Sequence, residues 1–148
     1  MGFKFKSKID YNRLNKSLFN TNIYVGYSED ETHYSGYSAA ELGKLLSEGD
    51  GYAIPPRPHI NEGLEAGRSD IRHAIRKYGG GLFGLFPKEN GIYKVAEAAR
   101  QAVITYIQSG ALEANARYTI EKKGSDTPLI DKGELVHLLE AIPVKGGL

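Results

Sequence analysis

The sequence predicts one α+β domain over residues 1–148, in which a small, mainly antiparallel sheet packs against about three helices. Strand-like patterns lie near both ends of the chain, and long stretches of helical apolar spacing lie between them. No internal repeat or linker-like composition divides the sequence. At 148 residues the chain is long enough for one domain with a modest core.

Two strands are predicted near the N-terminus. Apolar and basic residues alternate over residues 2–9, which predicts a half-buried strand whose lysine face discourages edge pairing. Residues 11–19 predict a short helix, because Leu14 and Leu18 would lie on one side of it. Residues 22–27, which read NIYVGY, are rich in β-branched and aromatic residues and predict the second strand.

A polar loop over residues 28–37 precedes the first long helix. Ser38 and Glu41 have the spacing of a capping box, so this helix should begin there. Gly49 should end it, because glycine adopts the left-handed cap conformation without penalty. The run Ile54-Pro55-Pro56-Arg57-Pro58 cannot be helical, since each proline pushes its predecessor toward extended geometry. It predicts a stiff connector.

Two further helices and a last strand complete the predicted order. Apolar spacing predicts a helix over residues 61–78, where Gly67 on the apolar stripe should let another backbone come close. The clearest helix is predicted over residues 93–109, ending near Gly110. A final strand over residues 138–144 gives the order β, short α, β, α, α, α, β.

Composition narrows the class of protein. Positive and negative charges nearly balance, with 19 basic and 18 acidic residues, whereas a protein whose main role is to bind nucleic acid is usually more basic. The chain has no cysteine, which excludes disulfides and thiolate metal sites and suits a reducing cytoplasm. No apolar run reaches the roughly 20 residues that a membrane span needs.

Charge is unevenly distributed along the chain. Residues 1–20 carry five basic residues and one acidic residue, whereas residues 27–50 carry six acidic residues and one basic residue. The two stretches are either solvated faces or surfaces that pair, within one subunit or between neighbours in an oligomer.

No constellation of catalytic residues is present in the sequence. Gly79, Gly81 and Gly84 match G-x-G-x-x-G, but the run follows a predicted helix and leads to Pro87, so it indicates a glycine-rich linker. The four histidines lack the spacing of metal ligands, so each is expected to be a surface histidine or one whose hydrogen bonds are satisfied within the fold. We therefore expect no enzymatic activity, no bound metal and no cofactor.

The glycine-rich loop over residues 79–87 holds large apolar side chains, which are costly to leave in water. They should pack either on the subunit's own core or on a partner. The candidate interface set is Leu82, Phe83, Leu85 and Phe86.

Four pieces of sequence, taken in order, resemble one family of tailed-bacteriophage proteins. They are Val25-Gly26, Ala40-Glu41, the connector at residues 54–58 and the segment at residues 123–135. In their joint order the chain resembles the neck and tail-completion proteins, also called virion-morphogenesis or head–tail joining proteins. In that family a strand ends in V-G, a helix opens with A-E, and an I-P-x-R-P turn leads into the next helix. An alanine-rich helix, the segment that resembles residues 123–135 and a final strand then follow. Within the matching pieces Lys132 stands where the family has threonine.

The resemblance gives structural roles to two short segments. The first would be a turn that leads into a helix, and the second a tight turn that sets the last strand against the sheet, with Leu129, Ile130 and Leu135 buried beneath it. These signature turns are formed by Pro55, Pro56, Arg57 and Pro58, and by Asp131 and Gly133.

For function, the resemblance implies a structural virion protein. Such proteins form rings at the head–tail junction, and a hexamer is favoured here over a dodecamer. The ring would contact tail-tube or sheath proteins and head connector proteins, and DNA would pass through its lumen without sequence-specific contact. Tail completion is the expected role, in which the ring stops tail growth and joins tail to head; a head-side connector is the alternative. The protein would lie in the virion after assembly in the host cytoplasm, and would contact no membrane.

Two other classes stay open from the residues alone. The basic N-terminal stretch and the tyrosines suggest a small nucleic-acid-binding protein. A small enzyme with a site around Asp126 and Asp131 is the other alternative, although no base–nucleophile pair accompanies these residues.

Overall fold

The computed structural model of the protein describes residues 5–9, 21–33, 35–78, 91–112 and 134–145. These residues form three strands and five helices, which confirms the predicted α+β class. In chain order they are β1 (Phe5–Ile9), β2 (Thr21–Tyr27), α1 (Ala39–Glu48), α2 (His59–Ala66), α3 (Arg68–Tyr78), α4 (Gly91–Gln108), α5 (Glu134–His137) and β3 (Leu139–Lys145).

The three strands form one antiparallel sheet in the order β1-β2-β3, with β2 in the centre. Ile23, Val25 and Tyr27 alternate along β2 and are fully buried, as a strand with one face on the core requires. Pro143 in β3 pairs with Ile23. A proline is tolerated there because β3 is an edge strand of the described sheet, and the outer side of an edge strand needs no donor.

The core lies between the sheet and the helices. α1 packs on β2, α4 packs against both β2 and β3, and α2 and α3 pack along α4. Arg100 of α4 also donates a hydrogen bond from Nε to the carbonyl of Leu139 at 2.7 Å, which ties the helix to the start of β3. The largest fully buried side chains are those of Tyr27, Ile23, Ile60, Ile107, Leu139, His59, Val25 and Val103.

The predicted ends of α1 are confirmed. The Ser38 hydroxyl accepts from the Glu41 N–H at 3.2 Å, and the Glu41 carboxylate accepts from the Ser38 N–H at 3.2 Å. These two bonds are the capping box. Gly49 ends the helix with φ of 73°, a conformation that favours glycine.

The single helix predicted over residues 61–78 is wrong in detail, because the structure has two helices there. α2 begins at His59, and a turn at Gly67 separates α2 from α3. A Cβ on Gly67 would clash with the Ala102 side chain of α4, so the expected close approach at this glycine is confirmed. The same glycine weakens the helix, since it favours helical geometry less than alanine does.

The C-terminal elements follow the prediction with one addition. α4 matches the helix predicted over residues 93–109, and Gly110 follows it with φ of 75°. The one-turn helix α5 was not predicted, and it precedes β3, whose range matches the predicted last strand. Leu135 of α5 is buried as expected. The short helix predicted over residues 11–19 lies outside the described residues.

Candidate functional site

The loop between α1 and α2 spans residues 50–58 and includes the connector at residues 54–58. It is a tightly organised loop at the surface. Its first turn follows Gly49, where a Cβ would lie 2.5 Å from the Ile54 carbonyl oxygen. The carbonyl of Ile54 also accepts a hydrogen bond from the Asp50 N–H at 3.2 Å. The chain therefore folds back on itself within six residues of the helix end, and only glycine fits the start of that turn.

One carboxylate organises this turn. Asp50 Oδ1 accepts hydrogen bonds from the N–H groups of Tyr52, Ala53 and Ile54, each at 2.8 Å. These N–H groups, that of Ile54 first, hold the pKa of the Asp50 carboxyl below its ordinary value of 3.8. The loop is thus built around an ionised side chain, in the manner of an extended Asx turn.

The turn presents one aromatic ring to solvent. Tyr52 is 99% exposed, although the backbone on either side of it is held by Asp50. Tyrosine supplies a large, rigid contact area at low entropic cost, and a ring on an ordered loop loses little freedom when it is covered. Tyr52 therefore has the properties of an anchor residue in a protein interface.

The second half of the loop is anchored in the core. Arg57 is buried, and its N–H donates to the Leu46 carbonyl of α1 at 3.0 Å. Its carbonyl accepts from both the N–H of His59 at 2.7 Å and Nδ1 of His59 at 2.8 Å. A carbonyl can only accept, so Nδ1 carries the proton of the imidazole.

The same imidazole reaches the central strand. Nε2 of His59 lies 2.9 Å from the Tyr27 hydroxyl. Because Nδ1 carries the proton, Nε2 accepts and Tyr27 donates. The bonds form a continuous path from α1 through Arg57 and His59 to β2. This path fixes where α2 begins relative to the sheet.

The electrostatics of this path favour neutral groups. Burial lowers the pKa of the His59 imidazole from its ordinary value of 6.5, against smaller raising effects of the Arg57 carbonyl and Glu62. Burial also raises the pKa of the Tyr27 hydroxyl well above its ordinary value of 10. Both side chains are fully buried. They are therefore placed to hold structure, and neither presents a reactive atom to a substrate at the surface.

Tyr27 is also packed tightly on its other side. A Cβ on Gly43 of α1 would clash with the Tyr27 ring, so α1 lies directly against this ring. The rings of Tyr27 and His59 are 5.9 Å apart between centroids. The ring of Tyr27 is thus held between α1 and the start of α2. This packing fixes the positions of the two helices that the loop joins.

The structure places only some of the residues predicted to form sites. The connector at residues 54–58 is non-helical, as predicted, with Arg57 buried and Pro56 exposed. The loop set Leu82, Phe83, Leu85 and Phe86 lies outside the described residues, as do Asp131 and Gly133. The predicted interface role of the first set and the tight turn of the second stay predictions.

Sequence reasoning missed the parts of the site that depend on Asp50, Tyr52 and Tyr27. The run Asp50-Gly51-Tyr52 contained a usable signal, because Asp-Gly dipeptides mark turns in which the carboxylate bonds to the following backbone. His59 was expected to be a surface histidine or a satisfied one, and it is the latter.

The described residues contain no cluster of three or more side chains able to hold a metal ion. Within the same part of the chain, no helix is both long and apolar enough to cross a membrane. Comparison of the chain with protein-family models, with curated proteins and with solved structures gave no match.

Proposed function

We propose that this chain is a structural protein of a tailed-bacteriophage virion, which assembles as a ring at the head–tail junction and completes the tail. The observation that carries the proposal is the agreement between the ordered motifs and the elements on which they fall. Val25-Gly26 lie at the end of β2, Ala40-Glu41 open α1, and residues 54–58 lead directly into α2. An alanine-rich helix and a final strand follow, as the resemblance implies.

The proposed ring contains six copies and contacts tail-tube or sheath proteins and head connector proteins. Its role is assembly without catalysis: the ring covers the end of the tail tube, stops growth and receives the head. DNA passes through the lumen without sequence-specific contact. The location of the protein is the virion, after assembly in the host cytoplasm.

The geometry of the 50–58 loop supports a contact role at this site. The loop is fixed to the core through Arg57 and His59 and exposes the Tyr52 side chain to solvent. The edge strand β3 is less suited to docking, because Pro143 cannot donate a hydrogen bond to an added strand. A rigid loop carrying an exposed ring is therefore the better candidate for contact with a neighbouring protein.

The test is deletion of the coding sequence from the phage genome that carries it, followed by electron microscopy of the lysate. We expect DNA-filled heads without tails, together with free tails of uncontrolled length, and restoration of infectious particles by a plasmid copy. Free tails of normal length beside leaking heads would favour the head-side connector. Normal virions in the deletion would overturn the proposal.

Complementation with point variants tests which surface makes the contact. Tyr52→Ala should fold normally and fail to restore joining, whereas Tyr93→Ala, at another exposed tyrosine, should restore it. Phe83→Ser/Phe86→Ser should change the free energy of unfolding by less than about 1 kcal/mol if the glycine-rich loop is not core, while blocking head–tail joining. A large loss of stability in this variant would instead place the loop in the core.

A further inference from the structure

Helix α3 carries a row of exposed arginines along one side. Arg68, Arg72 and Arg76 recur every four residues and are all exposed, whereas Ile71 and Ala74 on the same helix are buried. Residues four apart lie above one another on a helix. At a rise of 1.5 Å per residue, the row is about 12 Å long. We refer to these three arginines as the basic row.

Most of this charge is uncompensated among the described residues. Arg68 forms an ion pair with Glu65 at 3.1 Å. Arg72 and Arg76 make no ion pair or side-chain hydrogen bond with any other residue that the structure describes. Two of the three arginines in the row are thus exposed and unpaired within the described part of the chain.

Acidic side chains are exposed at both ends of α1, and Lys44 is an exposed basic residue on the helix between them. Asp30 and Glu31 are exposed just before the N-terminus of the helix, and Glu48 is exposed at its C-terminus. In the described part of the chain these three carboxylates have no ion pair or side-chain hydrogen bond. The helix between them is ten residues long, or about 15 Å at 1.5 Å per residue. We refer to Asp30, Glu31 and Glu48 as the acidic surface.

The two charged surfaces belong to different packing units of the subunit. α1 lies on β2, whereas α3 lies on α4. A basic patch and an acidic patch on separate elements of one chain make copies of that chain mutually complementary. When the basic patch of each copy meets the acidic patch of the next copy head to tail, the contact is heterologous, and its repetition gives a ring when the rotation closes.

We infer that the basic row of α3 docks on the acidic surface of a second copy of this chain, and that this contact joins neighbouring subunits of the ring. The inference rests on the proposed ring assembly and names the surfaces that build it. Tyr52 follows the acidic surface in the chain, and an exposed tyrosine ring can stack on an arginine guanidinium. The net charge of +1 means that copies do not repel one another as wholes.

A nucleic-acid backbone is the weaker candidate for the basic row. Binding to phosphates increases with net positive charge, and 18 acidic residues offset nearly all of the 19 basic residues here. The acidic surface would also repel DNA. A second copy satisfies both charged surfaces at once, whereas DNA would satisfy only one.

The experiment uses two charge-reversed variants of the full chain. Arg72→Glu/Arg76→Glu makes the basic row acidic, and Asp30→Lys/Glu31→Lys makes the acidic surface basic. Self-association of each purified protein is measured by sedimentation velocity at low and high salt. We expect the wild type to associate at low salt and to weaken as salt screens the contact. Each variant alone should associate at least about tenfold more weakly, since it presents like charges to itself.

An equal mixture of the two variants tests directly whether the basic row and the acidic surface contact each other. Each reversed surface of one variant is complementary to a reversed surface of the other, so the mixture should assemble with alternating subunits. Circular dichroism melting of each variant shows that folding is retained. Lys94→Glu, at an exposed position of α4, is the control that changes charge outside both surfaces and should associate like the wild type.

Three outcomes would overturn the inference. They are absence of self-association by the wild type at low salt, wild-type association by either variant, and failure of the mixture to assemble. In the last case, a gel shift with duplex DNA of arbitrary sequence that is lost in Arg72→Glu/Arg76→Glu would assign the basic row to nucleic acid. Normal head–tail joining by a variant that does not self-associate would overturn the interface while leaving the proposed virion role intact.

Discussion

The Tyr27 hydroxyl, in the central strand, donates a hydrogen bond to Nε2 of His59, the first residue of α2, across 2.9 Å. Both residues are fully buried, so neither polar group has water as an alternative partner. The bond joins residues that are 32 positions apart. It therefore holds the loop between α1 and α2, and the exposed Tyr52 on that loop, in a fixed position relative to the sheet.

Tyr27→Phe should lower the free energy of unfolding by about 1–3 kcal/mol, because it removes the hydroxyl that donates to the buried Nε2 of His59. Urea denaturation measures the loss. Tyr93→Phe, at an exposed tyrosine, is the matched control and should have no measurable effect. The double variant Tyr27→Phe/His59→Leu should lose less free energy of unfolding than the two single variants together, because it removes the donor and the acceptor of this bond at once. Strict additivity would contradict the bond.

The stability of the protein should also fall in acid because of His59. Burial lowers the pKa of this imidazole in the folded chain, whereas the unfolded chain binds a proton near the ordinary pKa of 6.5. Its contribution is therefore complete above pH 6.5 and is lost as pH falls through the folded pKa. Over that interval the slope contributed by one proton is at most about 1.4 kcal/mol per pH unit. Urea denaturation at several pH values should show a shallower dependence in His59→Leu than in the wild type.

Local patterns were sufficient to predict most of the described fold. The capping box of Ser38 and Glu41, the glycine at the end of α1 and the long apolar periodicity of α4 all act over a few residues. Each therefore leaves its signal in adjacent sequence. Gly67 shows the limit of such reasoning. Its position on the apolar stripe predicted a close approach, which the packing against Ala102 confirms. The turn that separates α2 from α3 at this glycine leaves no such signal in the apolar spacing.

The candidate site was predicted only in its backbone. Three prolines showed that residues 54–58 could not be helical, because proline restricts its predecessor as well as itself. Nothing in the local spacing of Arg57 and His59 indicates that they are buried, since their partners lie in α1 and β2. Long-range pairing of this kind depends on the packed fold and has no local period. The one-turn helix α5 was not predicted for a different reason, since four residues are too few for helical periodicity to appear.

Asp50→Ala should loosen the loop that carries Tyr52. The substitution removes one oxygen that accepts from three backbone N–H groups. Amide hydrogen exchange at Tyr52, Ala53 and Ile54 should then speed up, as followed by nuclear magnetic resonance. Asp50→Asn keeps an oxygen in place without its charge and should fall between the wild type and Asp50→Ala. Exchange that is unchanged in Asp50→Ala would show that the turn does not depend on this side chain.

Gly67→Ala should lower the free energy of unfolding by about 1–3 kcal/mol through overpacking against α4. The added Cβ would clash with the Ala102 side chain, and both helices would have to separate to admit it. Alanine is otherwise the better helix former, so helix propensity alone would predict stabilisation by about 1 kcal/mol. The two effects thus have opposite signs. Adding Ala102→Gly should relieve the clash, so that Gly67→Ala is less harmful in that background than in the wild type. Thermal or urea denaturation of the four proteins in this cycle measures the coupling, and a Gly67→Ala variant more stable than the wild type would show that α2 and α4 do not meet at this glycine.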